Sequence, residues 1–331
     1  MLRQKNLTVG DFFDTEKECP ICHSTERRVV SKVGKNLQPL ETVMCTGCGL
    51  VHSNPIPTKA ELDQFYSSKY RRNYKFASKP KLKHTLRYAP GSLERVNTLI
   101  KYKKTDQKKL IDIGSGSGEF LYMASKAGFD AQGIEPHIGY CEYTKSVLGL
   151  DVANSSLENA DLEKESFDIV NLNHVLEHMP EPLETLILLR GFLKNDGILM
   201  VDVPDISTCR HAPWTQFHYA HIYNFNHDTL KALAEKAGFE ILNKGDQGTN
   251  LILKKVLVEK SDVRQLLPEN YEAMWNKLNS NTMTKHYKTK KPYSRFIRKF
   301  YQYPKEFLVV AWLRSPRKIL DKVYRQKGIR I

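Results

Sequence analysis

The stretch Lys109-Leu-Ile-Asp-Ile-Gly-Ser-Gly-Ser-Gly-Glu-Phe120 decides the fold, because an apolar run ends there in three glycines at alternate positions and then passes into a helical pattern. It reads as a strand, a sharp turn and the start of a helix. Gly114, Gly116 and Gly118 adopt positive φ without strain and let the backbone approach a ligand closely, so a ligand is expected at the tip of this strand. The spacing narrows the choice. A dinucleotide fold wants G-x-G-x-x-G, whereas the sixth position counted from Gly114 is Glu119, and the lysine of a triphosphate-binding loop is missing. What remains is D-x-G-x-G-x-G, beginning at Asp112.

Downstream, Phe120, Leu121, Met123, Ala124 and Ala127 continue a helix that ends at Gly128. Ala131-Gln-Gly-Ile-Glu135-Pro136 then reads as a second strand that ends in an acid 23 residues after Asp112. A carboxylate there accepts two hydrogen bonds from a ribose diol. Ser166-Phe-Asp-Ile-Val-Asn-Leu-Asn173 is a further strand and runs into His174-Val-Leu-Glu177-His178-Met-Pro180. A helix carrying Leu183, Leu186, Ile187 and Leu189, a turn at Asn195-Asp196-Gly197 and the strand Ile198–Val203 follow. Alternation of strands and helices implies a parallel, doubly wound α/β sheet with ligands at the carboxyl ends of its strands. Asn173, His174, Asp202 and Asp205 are therefore expected to face the same crevice as Gly116. Asn226 to Thr229 caps another helix, and Phe239–Asn243 with Leu251–Val258 suggests a hairpin at the sheet edge.

Upstream, Cys19-Pro-Ile-Cys22 and Cys45-Thr-Gly-Cys48 form two C-x2-C pairs separated by 22 residues. Two such turns close a four-sulfur tetrahedral site, and a closed site has no open position, so the expected ion is a structural Zn²⁺. His23 and His52 are read as bystanders.

A chain of 331 residues with 40% hydrophobic content fills one ordinary α/β core plus smaller additions. It contains no run of eighteen apolar residues and starts Met-Leu-Arg-Gln-Lys-Asn without an apolar signal core, so the expected compartment is the cytoplasm. The net charge of +14 is regional: residues 281–331 hold 15 Lys/Arg against 2 Asp/Glu, and residues 69–109 hold 14 against 2. The domain between and around these basic segments is thus acidic in balance. Within the first basic segment and just before it, Tyr66, Tyr70, Tyr74 and Tyr88 interleave with cations, a mixture that binds phosphates, stacks on rings or simply links domains. Pro90 and Gly91 are read as closing this linker, with a helix starting near Leu93. The expected organisation is a ribbon over 1–57, a basic aromatic linker over 58–90, a catalytic domain over 91–259 and a basic amphipathic extension over 260–331. In that extension Phe307-Leu-Val-Val-Ala-Trp-Leu313, set among arginines and lysines, fits either a helix lying on anionic lipid or one docked on the catalytic domain.

Taken in order, Asp112 to Gly118, Glu135-Pro136, Phe167-Asp168-Ile-Val, His174-Val-Leu-Glu177-His178, Leu193 to Gly197 and Ala237-Gly238-Phe239 resemble the class I S-adenosylmethionine-dependent methyltransferases over about residues 91 to 259. The resemblance implies a seven-stranded sheet closed by an antiparallel hairpin. It also implies that Asp112, Gly114, Ser115, Gly116 and Gly118 lie along the amino-acid end of the cofactor, with Glu135 and Pro136 at the ribose. Ser155 and Ser156 would border the adenine, and Asn173 and His174 would line the crevice. The cysteine pairs with Cys48-Gly-Leu-Val-His-Ser-Asn-Pro resemble a bacterial subgroup associated with sugar and surface-polysaccharide methylation. His218-Tyr-Ala-His221-Ile-Tyr-Asn-Phe225 is similar to the histidine segment of deoxysugar C-methyltransferases, although Ala220 stands where the Glu of their Glu-His pair would be.

Methyl transfer to a sugar hydroxyl needs a general base, and histidine suits neutral pH. His221 is the first candidate and His178 the second. The expected acceptor is a nucleotide-linked or lipid-linked glycan precursor, methylated at oxygen or carbon, with peripheral contact to the inner face of an anionic membrane through the extension. Two alternatives stay open: an RNA methyltransferase that holds nucleic acid with the ribbon and basic flanks, and a non-catalytic zinc-containing binding module. The absence of an Asn-Pro-Pro-aromatic element after the His174-bearing strand counts against the first.

Overall fold

The structure, a computed structural model, describes residues 12–14, 17–64, 80–243, 248–256 and 265–328. Tyr66, Tyr70 and Tyr74 of the expected linker, and Val258 at the end of the expected hairpin, lie outside these residues.

Strands β1 (Phe12–Asp14), β2 (Glu26–Val33), β3 (Pro39–Cys45) and β4 (Val51–Ser53) form an antiparallel ribbon. Helices α1 (Lys59–Gln64) and α2 (Leu82–Tyr102) lead into the main sheet. There β5 (Lys109–Ile113), α3 (Glu119–Lys126), β6 (Asp130–Ile134), α4 (Ile138–Tyr143), β7 (Asp151–Ala153), β8 (Phe167–Asn173), α5 (Pro182–Phe192) and β9 (Leu193–Asp202) follow in turn. Strand β10 (Tyr223–Asn224), helix α6 (His227–Lys236) and strands β11 (Phe239–Ile241) and β12 (Asn250–Lys255) complete this region. Four helices end the chain: α7 (Pro268–Ser280), α8 (Met283–Lys288), α9 (Lys291–Leu313) and α10 (Pro316–Lys327).

The seven-stranded sheet runs β11-β12-β9-β8-β5-β6-β7. Strands β9, β8, β5, β6 and β7 pair in parallel, while β12 pairs antiparallel to β9 and β11 antiparallel to β12, as the hairpin reading expects. Both faces are covered, because adjacent residues of each central strand enter different cores. Ile111, Val170 and Leu199 pack with Leu186, Leu189, Leu230 and Leu233 of α5 and α6. Leu110, Ile169 and Ile198 pack with Leu93, Val96 and Leu99 of α2 and with Leu320 of α10. Each such fully buried Leu or Ile contributes about 1.5–3 kcal/mol by leaving water, which explains the near-continuous apolar runs in β5, β8 and β9.

Two features differ from the sequence reading. Helix α2 starts at Leu82 and runs through Pro90 and Gly91, so these residues do not end a linker. Burial of Thr85, Ala89, Ser92, Leu93 and Val96 along one stripe holds the helix together across the proline, and Gly91 is exposed with open space where a side chain would be. The second difference is that the ribbon is not self-contained. Its sheet is completed by β10, with Tyr223 opposite His52 and Asn224 opposite Val51, so a strand from the methyltransferase-like region edges the cysteine ribbon. Helix α7 covers the ribbon from outside, with Tyr271 and Met274 packed against Met44 and Val51.

Candidate active site and cysteine cluster

At the carboxyl end of β5 the chain turns through Gly114, Gly116 and Gly118, all in the left-handed region, with φ of 69°, 56° and 80°. A Cβ at Gly114 would stand 2.8 Å from Val175 Cγ2, and one at Gly118 would stand 2.7 Å from Thr144 Cγ2. At Gly116 a Cβ would meet nothing within 4 Å. The outer two glycines therefore let the turn pack against its neighbours, while the middle one bares the backbone to the crevice. Glu135, at the end of β6, is buried and fixes this middle residue: its Oε2 accepts the Gly116 N–H and its Oε1 the His137 N–H, each at 2.8 Å. Pro136 beside it is exposed, and its carbonyl accepts from Asn154 Nδ2 in the turn after β7. Ser155 and Ser156 occupy that same turn, half-buried, so the structure brings the glycine turn, Glu135 and the serines to one edge of the sheet.

Ser115 Oγ, Glu119 Oε1, Asn171 Oδ1, Asn173 Oδ1 and Arg95 Nε are buried without a protein hydrogen-bond partner. Buried polar groups in folded proteins are nearly always hydrogen-bonded to protein, water or ligand, so these atoms can serve a polar ligand. Burial pushes the Asp112 carboxyl up to about 7, against the hydrogen bond that it accepts from Asn171 Nδ2 at 2.6 Å. Burial holds the Arg95 guanidinium below its ordinary pKa, although the charges of Asp112, Asp202 and Glu119 oppose that shift. The sequence reading did not single out Arg95, since on an amphipathic helix an arginine reads as a solvated residue. Burial likewise raises Asp202. Asp205 Oδ1 caps the turn Ile206–Thr208 by accepting the Ser207 N–H.

The histidine cluster adjoins the turn through Val175. His174 adopts φ of 55° and its N–H donates to the carbonyl of Asp202, which ties the ends of β8 and β9 together. Glu177 is 1% exposed, and neither carboxylate oxygen accepts a hydrogen bond. Nitrogens of His174 and His178 stand 3.4 and 3.7 Å from its Oε1. Burial would push the Glu177 carboxyl up, but the imidazoles of His174, His178 and His221 outweigh it and hold the pKa below the usual value. The same contact with Glu177 raises His174. His178 Nδ1 lies 2.6 Å from the carbonyl of Ala220, which only accepts, so this nitrogen carries the proton and Nε2 is left with its lone pair in the neutral ring. The His178 and His221 rings meet edge to face at 5.0 Å, and burial lowers His221 to about 4. Ligand atoms of Glu177, His178 and His221 lie within 4.8 Å of one another, so the three can hold a cation as well as relay a proton. Glu177 thus brings a carboxylate from another loop to the rings of His178 and His221.

The four cysteines Cys19, Cys22, Cys45 and Cys48 are buried, with Sγ atoms 3.5 Å apart for Cys19 and Cys48 and 3.4 Å apart for Cys22 and Cys45. Four sulfurs at this spacing fit one tetrahedral ion. Two buried cations, Arg27 and Lys236, lie beside the cluster's loops. Arg27 donates to His52 Nε2 and to the carbonyls of Ser24, Glu26 and Lys17. Lys236 of α6 reaches the Ile21 carbonyl at 3.1 Å and His23 Nε2 at 2.6 Å. His23 and His52 are therefore engaged outside the sulfur cluster.

The family model described as a methyltransferase domain matches residues 67–244. The chain belongs to this methyltransferase family. Among curated relatives, a ubiquinone biosynthesis O-methyltransferase of Actinobacillus pleuropneumoniae serotype 7 (strain AP76) is 30% identical over 102 residues, 28% of this chain and 44% of the relative. A tRNA U34 carboxymethyltransferase of Desulfotalea psychrophila is 31% identical over 106 residues, 30% of this chain and 33% of the relative. The chain thus spans less than half the length of these curated relatives. Among solved structures, an S-adenosylmethionine-dependent methyltransferase of Aquifex aeolicus is 17% identical with a TM-score of 0.40, covering 50% of this chain and 98% of its own. The 1,6-didemethyltoxoflavin-N1-methyltransferase of Burkholderia thailandensis is 13% identical with a TM-score of 0.42, covering 62% and 93%.

Proposed function

We propose that this methyltransferase moves the methyl group of S-adenosylmethionine to a sugar hydroxyl of a nucleotide-linked or lipid-linked glycan precursor. The observation that carries the hydroxyl reading is the buried carboxylate of Glu177 set against the rings of His178 and His221, next to the glycine turn. When bound, S-adenosylmethionine supplies a methyl carbon already activated by positive sulfur. Glu135, whose carboxylate is fixed at the end of β6 by the Gly116 and His137 N–H groups, would accept the ribose hydroxyls, and Ser155 and Ser156 would border the adenine. Arg95, whose buried Nε has no partner, suits the cofactor's carboxylate, and Asp112 and Asn173 suit its ammonium. His221 would take the acceptor hydroxyl's proton, His178 is held in one tautomer by the Ala220 carbonyl, and Glu177 would stabilise the positive charge on the imidazole that results. The name of the O-methyltransferase relatives supports oxygen over carbon as the acceptor. The cysteine cluster is read as a structural Zn²⁺ site that, through β4 and β10, positions the His218 to Phe225 segment. The expected compartment is the cytoplasm, and among the described residues no helix is long and apolar enough to cross a membrane.

One observation favours a second reading of the same cluster: Glu177, His178 and His221 have the donor set of a divalent cation, which would activate the hydroxyl in place of a free base. Purified enzyme assayed with and without added divalent cation, alongside Glu177→Gln and His221→Ala, tests both. Loss of turnover of 10²-fold or more in both variants, with S-adenosylmethionine binding retained, supports the cluster; cation-dependent turnover selects the second reading. Unchanged turnover in both variants would remove the cluster from the chemistry.

A further inference from the structure

We propose that α9 is a peripheral membrane-binding helix that lays its outward face on a bilayer carrying anionic headgroups. Five large side chains of this helix are more than half exposed by a wide margin: Phe300 at 73%, Tyr301 at 67%, Phe307 at 72%, Leu308 at 67% and Trp312 at 74%. They recur at helical spacing and, with exposed Tyr293, Ile297, Pro304 and Ala311, form one face. The opposite face carries Gln302, Glu306, Val309, Val310 and Leu313, which are buried or half-buried. The helix therefore turns its one acid and a few aliphatic side chains to the protein and leaves its large aromatic side chains outside.

The inward contacts show why this orientation is held. Arg87 of α2 binds Glu306 through Nε at 2.7 Å and NH2 at 2.5 Å, and its guanidinium also lies 5.1 Å from the Tyr303 ring. Glu306 is the only acid of α9, so no carboxylate remains on the outward face. Helix α10 is anchored on the body by buried Ile319, Leu320 and Val323 and by Tyr122 and Lys126, both of which reach Asp321. A loose tail would have no fixed outer face, whereas this one is fastened at both places.

Charge complementarity identifies the occupant. Residues 281–331 carry 15 Lys/Arg, and both of their acids, Glu306 and Asp321, are paired inward. Exposed Lys305 and Arg314 flank the aromatic face, and Lys322 lies 4.9 Å from the Trp312 ring. A second copy of the chain would bring two such basic surfaces together and be repelled. Aromatic side chains with flanking cations and no acids instead match the boundary between acyl chains and anionic headgroups.

The test uses the full chain and needs no activity. Vesicles of phosphatidylcholine alone are compared with vesicles of phosphatidylcholine mixed with phosphatidylglycerol, by co-sedimentation and by the tryptophan emission maximum. Binding is expected to the mixed vesicles, to weaken as salt is raised, and to shift Trp emission to the blue. The double variant Phe307→Ser with Trp312→Ser alters only exposed positions and is expected to bind at least tenfold more weakly at an unchanged thermal midpoint. Lys305→Glu with Arg314→Glu is expected to remove the preference for anionic vesicles. Three results would overturn the proposal: no sedimentation with either vesicle, a concentration-dependent dimer that the serine variant converts to monomer, or RNA binding through α9 without vesicle binding.

Discussion

Glu135→Ala and Glu135→Gln separate two roles of one carboxylate. In the free protein its oxygens accept the Gly116 and His137 N–H groups, each at 2.8 Å, so the group shapes the turn and, in the proposed function, would also accept from the cofactor's ribose. A hydrogen bond to a charged group contributes roughly 1.5–3 kcal/mol. Losing both ribose bonds is expected to weaken S-adenosylmethionine binding by about 3–4 kcal/mol, or on the order of 10²–10³-fold. Glutamine keeps one carbonyl oxygen and the side-chain length but not the charge, and a loss of about 1.5–2 kcal/mol, roughly 10- to 30-fold, is expected. The assay is titration calorimetry with S-adenosylmethionine. Thermal unfolding serves as the control, because Ala also leaves two N–H groups without an acceptor and costs about 1–3 kcal/mol of stability for each one that water does not reach. A folded Ala variant that binds within about threefold of wild type would refute the ribose assignment.

Three further outcomes follow from the same structure. Asp112 has a folded-state carboxyl raised to about 7 from 3.8, so its contribution to stability is complete below pH 4 and is lost as pH rises through 7; Asp112→Asn should therefore gain stability over wild type between pH 5 and pH 8, by up to about 4 kcal/mol, and parallel pH-stability curves would contradict this. Cys45→Ser, or chelation of the wild type, should release the cluster that fastens β4 and hence β10, abolishing methyl transfer while S-adenosylmethionine affinity changes less than about tenfold; full activity without metal would show that the ribbon does not position the histidine segment. Arg95→Met should weaken binding of S-adenosylmethionine more than that of 5′-methylthioadenosine, which lacks the carboxylate, and equal losses would place Arg95 elsewhere.

The architecture was legible wherever local periodicity and burial agree. Strands β5, β8 and β9 are apolar on both faces because helices cover both, and the glycine turn, Glu135 and the edge hairpin follow from residue type and spacing alone. The cysteine spacing likewise predicted four converging sulfurs. What the sequence concealed was long-range. Strand β10 is two residues long, too short for any period, and its pairing with the ribbon lies between residues about 170 positions apart. Helix α2 continues through Pro90 because tertiary burial outweighs a local breaker. Arg95 and Glu177 carry charges that composition assigns to the surface, and only their surroundings show Arg95 half-buried and Glu177 buried. The exposed aromatic face of α9 was visible as an amphipathic pattern, but which face looks outward depends on the Arg87–Glu306 pair.

The central claim is methyl transfer to a sugar oxygen at the Glu177, His178 and His221 cluster. It is tested most directly by incubating the full chain with methyl-labelled S-adenosylmethionine and separate pools of nucleotide sugars, lipid-linked glycans and RNA, then locating the label by mass spectrometry. The account predicts label in an ether-linked methyl group on a sugar of one of the first two pools, and none with His221→Ala. Label in RNA, label on a ring carbon, or a wild-type chain that does not bind S-adenosylmethionine at all would contradict it.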